Sequence, residues 1–195
     1  MQTRSSWSGF LPPHALVMGR VGPVARACTQ TLSIVVGEGN PEAELVFVAT
    51  APSPQDDQLL DKMIQAMGLS RDQVYRLNIV KSREPRASED RLPELDEVAP
   101  CKPDLEKQLS LLQPKVVVAL GQVAAQLLLQ TQEPISNLRG SFKPIFAGRT
   151  QLMATFHPAD LLLNPQSKRE AWSDLQAVAQ LLGVSLPSRL PPKKG

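Results

Sequence analysis

The sequence is poor in the groups that much protein chemistry relies on. Its 195 residues hold two cysteines and two histidines, and aromatic residues make up 4%. Cys28 and Cys101 lie far apart in the chain and are too few for a disulfide framework or a zinc site. They read as plain thiols of a reducing compartment, and neither a metal nor a cofactor is expected. With so few rings, a site that stacks a nucleobase depends on one or two side chains. No apolar run reaches the roughly 20 residues of a membrane-spanning helix, so the expectation is a cytoplasmic protein with no membrane partner. A net charge of +2 is too small to argue for nucleic acid by itself, although a basic face can sit within a nearly neutral total.

What is present describes a globular domain with tails. Hydrophobic residues make up 42% and charged residues 21%, enough for one core of ordinary size. Eighteen prolines crowd the turns and both ends. Residues 1–30 read as an irregular arm. It carries Arg4, Arg20 and Arg26 with no acid before Glu38, a weak transit-peptide pattern, but Pro12, Pro13 and Pro23 would break a targeting helix. Its apolar groups Trp7, Phe10 and Leu11 either pack on the domain or dock on a protein partner. Residues 31–184 form the domain, and 185–195 a proline-rich basic tail.

Within the domain the pattern alternates strand and helix. "LSIVV" (32–36) reads as a short edge strand, and "ELVFVA", "QVYRLNIV" and "KVVVAL" read as buried strands. After the first of these, Ser53 suits a helix N-cap, Pro54 the first helical position, and Asp56–Asp57 the first turn, near the positive end of the dipole. Leu59, Leu60, Met63 and Met67 give that helix its inward stripe. "KPIFAGRTQLMATF" reads as a hairpin. The last helix opens at Ser167 with Glu170 three residues on, a capping-box pattern, and stops at Gly183. The expected fold class is therefore three-layer α/β/α, with a central, mostly parallel four-stranded sheet.

In such a sheet the residues just past the carboxyl ends of the strands share one rim, where ligands bind. The first rim turn, Ala49-Thr50-Ala51-Pro52-Ser53, contains no glycine, no ionisable group and no metal ligand. The other turns supply an amide (Asn78), an imidazole (His157) and the cations Lys81, Arg83 and Arg139. Two readings stand for Asn78, a ligand-binding amide of the rim or a strand-end amide capping nearby backbone. His157 before proline is either a site residue or a satisfied turn residue.

The segments "GEGNPEAELVFV", "VYRLNIVK", "LEKQLSLLQPKVVVALGQVAAQLLL", "ISNLRG", "FHPADLLLNP" and "AWSDLQ" resemble, in that order, the uracil-DNA glycosylase superfamily and above all its iron–sulfur branch. The resemblance implies that Asn78 reads the edge of an extruded base and that His157 stabilises charge on the departing uracil. It places the family's activating carboxylate, the acid of G-E-[AG]-P-G, at Thr50. It finds the segment bearing the base-stacking phenylalanine deleted after Asp57. Of the four cluster cysteines, the resemblance matches Cys101 to the last and Cys28 to one of the first two, and Ser82 stands in the place of the third.

These losses imply an impaired enzyme acting as a DNA- or protein-binding module of repair or replication, with Thr50, Ala51, Pro52, Asn78, Lys81, Arg83, Arg139 and His157 toward DNA. An active glycosylase of unusual base specificity, using a water held by Thr50 and backbone, is a lesser alternative; Asp56 and Asp57 read either as substitutes for the missing acid or as ordinary first-turn acids of a helix. A further resemblance, to the psi subunit of bacterial clamp loaders, covers "ELVFVATAPSPQDDQLLDKMIQAMGLSRDQVYRLN" and "NPQSKREAW". It implies an adaptor whose tryptophan-bearing arm docks on the clamp-loader collar. Both resemblances point to a bacterial source.

Overall fold

Two strands that are apolar on both faces set the architecture. In a computed structural model, which describes residues 37–50, 54–79 and 94–187, β2 (Leu45–Ala49) and β4 (Val116–Leu120) are buried along their whole length and lie side by side. Strands with no polar face must be covered twice, which is the condition of a parallel sheet between two helical layers. The sheet runs in the order β1-β3-β2-β4-β6-β5. The inner four strands, β3 (Tyr75–Asn78), β2, β4 and β6 (Thr150–Thr155), are parallel. At the edges, β1 (Glu38–Gly39) pairs antiparallel with β3, and β5 (Phe142–Ile145) antiparallel with β6.

The expected four-stranded sheet is thus the parallel centre of a six-stranded one. The difference comes from the hairpin, whose first arm β5 adds a strand outside β6, and from two residues of β1 caught against β3. The strand expected over residues 32–36 lies outside the described residues.

Alternation along the strands sorts the core into two layers. Val46, Val48, Leu77, Val117, Ala119, Leu152 and Ala154 point to one face. There they meet the helices α2 (Leu95–Val98), α3 (Lys102–Leu112) and α4 (Gln122–Leu129) through residues such as Val98, Leu105, Leu109 and Ala124. Leu45, Phe47, Val116, Val118, Leu120 and Met153 point to the other face. They meet α1 (Pro54–Ala66), α6 (Pro158–Leu163) and α7 (Lys168–Leu182) through Leu60, Met67, Leu161, Leu175 and Val178. One short helix, α5 (Ile135–Leu138), precedes the hairpin. This is the three-layer α/β/α arrangement read from the sequence.

One helix start differs from expectation. Ser167 precedes α7 but makes no side-chain capping bond. The chain enters α7 from a single 3-10 turn, Pro165–Ser167, so Ser167 is already helical, at φ −70° and ψ −9°. An N-cap side chain needs extended backbone to reach back to the first amides. Glu170, freed from the capping box, pairs with Arg139 instead. At the far end Gly183 closes α7 in the left-handed conformation, as read. The chain continues past it, and Ser185 and Pro187 lie against Gly68 just beyond α1.

Candidate functional site

The order of the parallel strands places a crevice. From β2 the chain crosses to β3 on one side, while β4 lies on the other, so the connections diverge between β2 and β4. Ligands bind at such a point, outside the carboxyl ends of the strands. Across this rim lie, in order, Asn78 (ending β3), Thr50 (after β2), Gly121 (after β4) and His157 (after β6). At the ~4.8 Å spacing of neighbouring strands the row spans about 14 Å, room for two side chains and one flat heterocycle.

The register holds these positions firmly. Ala49 pairs with Asn78, and the Ile79 N–H extends the ladder by donating to the Ala49 carbonyl at 2.9 Å. On the other side Leu120 pairs with Thr155, and the Gly121 N–H donates to the Thr155 carbonyl at 2.8 Å. Gly121 sits at φ +88°, and a β-carbon there would lie 2.9 Å from the His157 β-carbon. The absence of a side chain is what lets β6 turn into α6 directly against the start of α4. Gly121→Ala is therefore expected to cost about 1–3 kcal/mol in backbone strain and to displace the imidazole. Urea unfolding together with the His157 ring signals in NMR would check both effects.

His157 answers both of its sequence readings. Its Nδ1 accepts the Ala159 N–H at 3.2 Å, capping α6 as a turn residue would. That acceptor leaves the proton of a neutral ring on Nε2, and Nε2 is buried with no hydrogen-bond partner. Burial lowers the imidazole pKa from its ordinary value, against the opposing charges of Asp56 and Asp160. A neutral ring offering an N–H toward the rim follows. Asn78, 4% exposed, has neither its amide nitrogen nor its carbonyl oxygen hydrogen-bonded. Leaving such groups unpaired costs about 1–3 kcal/mol each, and this cost favours a polar ligand that pairs them. The backbone-capping role for Asn78 is not what the structure has.

Thr50 is 1% exposed, a buried hydroxyl-bearing residue in the position to which the resemblance assigns an acid. The two first-turn acids of α1 part company. Asp57 is ion-paired with Arg76 of β3, which also bonds Glu38 at 2.9 Å. Asp56 is largely buried. Helices α1 and α6 pack together, and the charge of Asp56 bears on His157 ahead of that of Asp160, only three residues from His157.

Arg139 faces inward. Its guanidinium bonds both carboxylate oxygens of Asp174, at 3.0 and 3.1 Å, and contacts Glu170 at 3.2 Å. The Thr155 hydroxyl completes the group by donating to Asp174 at 2.7 Å. Asp174, 2% exposed, lies on the buried side of α7, and burial raises its pKa against the pull of the Thr155 bond and of Arg139. Sequence reading placed Arg139 toward DNA and missed Asp174 and Thr155. The guanidinium also lies 5.3 Å above the Phe156 ring, so the aromatic residue beside His157 already has its face covered. Ala51, Pro52, Lys81 and Arg83, like Trp7, Phe10 and Leu11 of the arm, lie outside the described residues.

Cys101 is buried and disulfide-bonded, which corrects its reading as a plain thiol. Separation along a sequence sets no lower limit on separation in the fold, and its partner lies outside the described residues. A four-iron cluster takes four thiolates, and a chain with two cysteines, with Cys101 held in a disulfide, does not fit it. Among the described residues no group of three or more histidine, cysteine or acidic side chains could hold a metal, and no helix is long and apolar enough to cross a membrane. An open groove of about 260 Å³ lined by Leu128, Gln130, Pro144 and Phe146 lies beside the end of α4 and the hairpin turn, at the opposite edge of the sheet from the rim.

The fold is thus a doubly covered parallel sheet whose one rim carries the Asn78 amide and the His157 Nε2 without partners. Residues 36–176 match the Uracil DNA glycosylase superfamily. The chain is 33% identical over 171 residues to the type-4 uracil-DNA glycosylase of Archaeoglobus fulgidus, covering 79% of this chain and 84% of that one. It is 32% identical over 166 residues to that of Saccharolobus solfataricus, covering 76% of each. With that of Thermotoga maritima it shares 34% over 145 residues, 68% of this chain and 73% of the relative. The chain belongs to the uracil-DNA glycosylase superfamily.

Proposed function

We propose that this protein acts in DNA repair by binding DNA and admitting an extruded uracil to the rim between Asn78 and His157, and that it excises the base slowly. The observation that carries this reading is the set of buried polar atoms without partners on one rim, the Asn78 amide and the His157 Nε2. An amide presents one donor and one acceptor, complementary to the adjacent carbonyl and imide N–H of uracil. A neutral imidazole with its proton on Nε2 supplies a donor to the remaining carbonyl, where negative charge develops as the glycosidic bond breaks.

Slowness rests on Thr50 and on the covered ring of Phe156. A positioned acid–base group is typically worth on the order of 10²- to 10⁴-fold, and base stacking on an aromatic ring roughly 1–3 kcal/mol. The test is uracil excision from single-stranded DNA, measured beside the Archaeoglobus fulgidus relative, together with equilibrium binding to the same DNA. Binding that favours uracil over thymine, with excision at least about 10²-fold slower than the relative's, is the expected result. Excision at the relative's rate would remove the impairment from the proposal, and equal binding to both DNAs would remove the base site.

A further inference from the structure

Ala154, Thr155 and Phe156 lead β6 into the turn that carries His157, and each is met by the Arg139–Asp174 pair. Ala154 pairs with Arg139 through a short parallel bridge. The fully buried Thr155 hydroxyl donates to Asp174 at 2.7 Å. The Phe156 ring lies 5.3 Å below the Arg139 guanidinium, which itself holds both Asp174 oxygens. From the other side, the Gly121 N–H bonds the Thr155 carbonyl at 2.8 Å. Thr155 is thus fixed through both hydroxyl and carbonyl, two residues before the imidazole.

Attachment of α7 does not call for such a pair. That helix already buries Leu175, Val178 and Ala179 in the core, and apolar residues of similar volume often replace a buried ion pair without loss of stability. What the pair adds is direction, since charge-assisted hydrogen bonds are short and geometrically specific. Here they act on consecutive residues at the end of one strand.

We propose that Thr155, Asp174 and Arg139 are positioning residues that lock the end of β6, so that His157 keeps Nδ1 on the Ala159 N–H and presents Nε2–H to the rim. The consequence for rate rests on the base-binding reading, whereas the consequence for the ring does not. Without the Thr155–Asp174 bond the imidazole loses its fixed orientation, the contact with Ala159 weakens, and the proton is no longer confined to Nε2. A misplacement of about 1 Å can cost about 10²-fold in rate.

The ring can be read directly, because long-range nitrogen–proton NMR correlations report which imidazole nitrogen is protonated and where the ring titrates. The His157 signals are assigned by their loss in His157→Ala. The full chain is compared with Thr155→Val, which removes the hydroxyl at similar volume, and with Thr155→Ser, which keeps it. Arg139→Met with Asp174→Leu replaces the pair by apolar groups. Leu109→Ala, in the core layer on the other face of the sheet, lowers stability without touching the cluster. The charges that bear on the ring, Asp56 and Asp160, stay in every variant. Uracil release from single-stranded DNA under single turnover, and binding of the same strand, are measured in parallel.

In the parent protein, Thr155→Ser and Leu109→Ala, the ring is expected to be neutral with its proton on Nε2 and to titrate below the ordinary value. In Thr155→Val and the double variant, both nitrogens are expected to share the proton and the titration to move up. Release should slow by up to about 10²-fold, with a smaller loss of binding. Ring signals unchanged in Thr155→Val and the double variant overturn the inference. So does the same change in Leu109→Ala, the mark of general loosening, or an unchanged rate where the ring has moved. A moved ring with no release by any of the proteins, the parent included, supports the positioning role and removes slow excision from the proposed function.

Discussion

Asp174→Ala is expected to lower the free energy of unfolding by about 3 kcal/mol, the lower end of the roughly 3–5 kcal/mol seen when one partner of a buried ion pair is removed. The magnitude follows from what the carboxylate holds. It receives two bonds from Arg139 and one from Thr155. Its loss strands a guanidinium whose side chain is 17% exposed and a hydroxyl that is fully buried. Glu170 remains beside Arg139, and half-exposed as it is, it recovers part of the interaction; hence the lower end of the range. Urea unfolding measures the change as a shift in midpoint at unchanged slope. Replacing the pair together, Arg139→Met with Asp174→Leu, is expected to cost far less, because apolar residues of similar volume often substitute for a buried pair without loss. A double variant as unstable as Asp174→Ala would show that the carboxylate is held for something other than its partner.

His157→Ala is expected to reduce whatever excision the protein performs by about 10²- to 10³-fold, the usual effect of removing one donor to a developing anion. Loss of rate should exceed loss of binding, since the interaction strengthens as charge builds on the leaving base. The same residue gives stability a pH dependence. Burial holds the folded imidazole below the ordinary value of 6.5, so the unfolded chain takes up a proton first as pH falls. Stability associated with His157 is therefore full above about pH 6.5 and declines as pH drops below it, until the folded ring also protonates. Urea midpoints between pH 8 and pH 5 would show this decline in the parent protein, and a smaller one in His157→Ala.

Much of this arrangement was legible in the residues, because burial imposes a period. "ELVFVA" and "KVVVAL" admit few environments other than the middle of a doubly covered sheet. The phase of α1 also distinguishes its two acids, which the sequence reading takes together. Asp56, Leu60, Met63 and Met67 follow at intervals of four, three and four residues, which keeps them on one side of a helix, whereas Asp57 falls in phase with outward-facing Asp61. Asp174 carried a similar signal, a carboxylate three residues after Ala171 and one before Leu175 on the inward stripe of α7. Its partner was illegible. Arg139 reaches it only because a short parallel bridge sets Arg139 beside Ala154, and pairing between segments that distant depends on the assembled fold. The same dependence hid the disulfide at Cys101.

The outermost strands carry a consequence for company. Among the described residues β1 is only two residues long, and β5 interrupts its outer margin with Lys143 and Pro144. A charged side chain and a ring without an N–H make a poor template for a foreign strand to zip onto. Growth of the sheet by borrowing a segment from another molecule is discouraged at both flanks. Lateral addition to the sheet is therefore the least favoured way for another molecule to meet this domain.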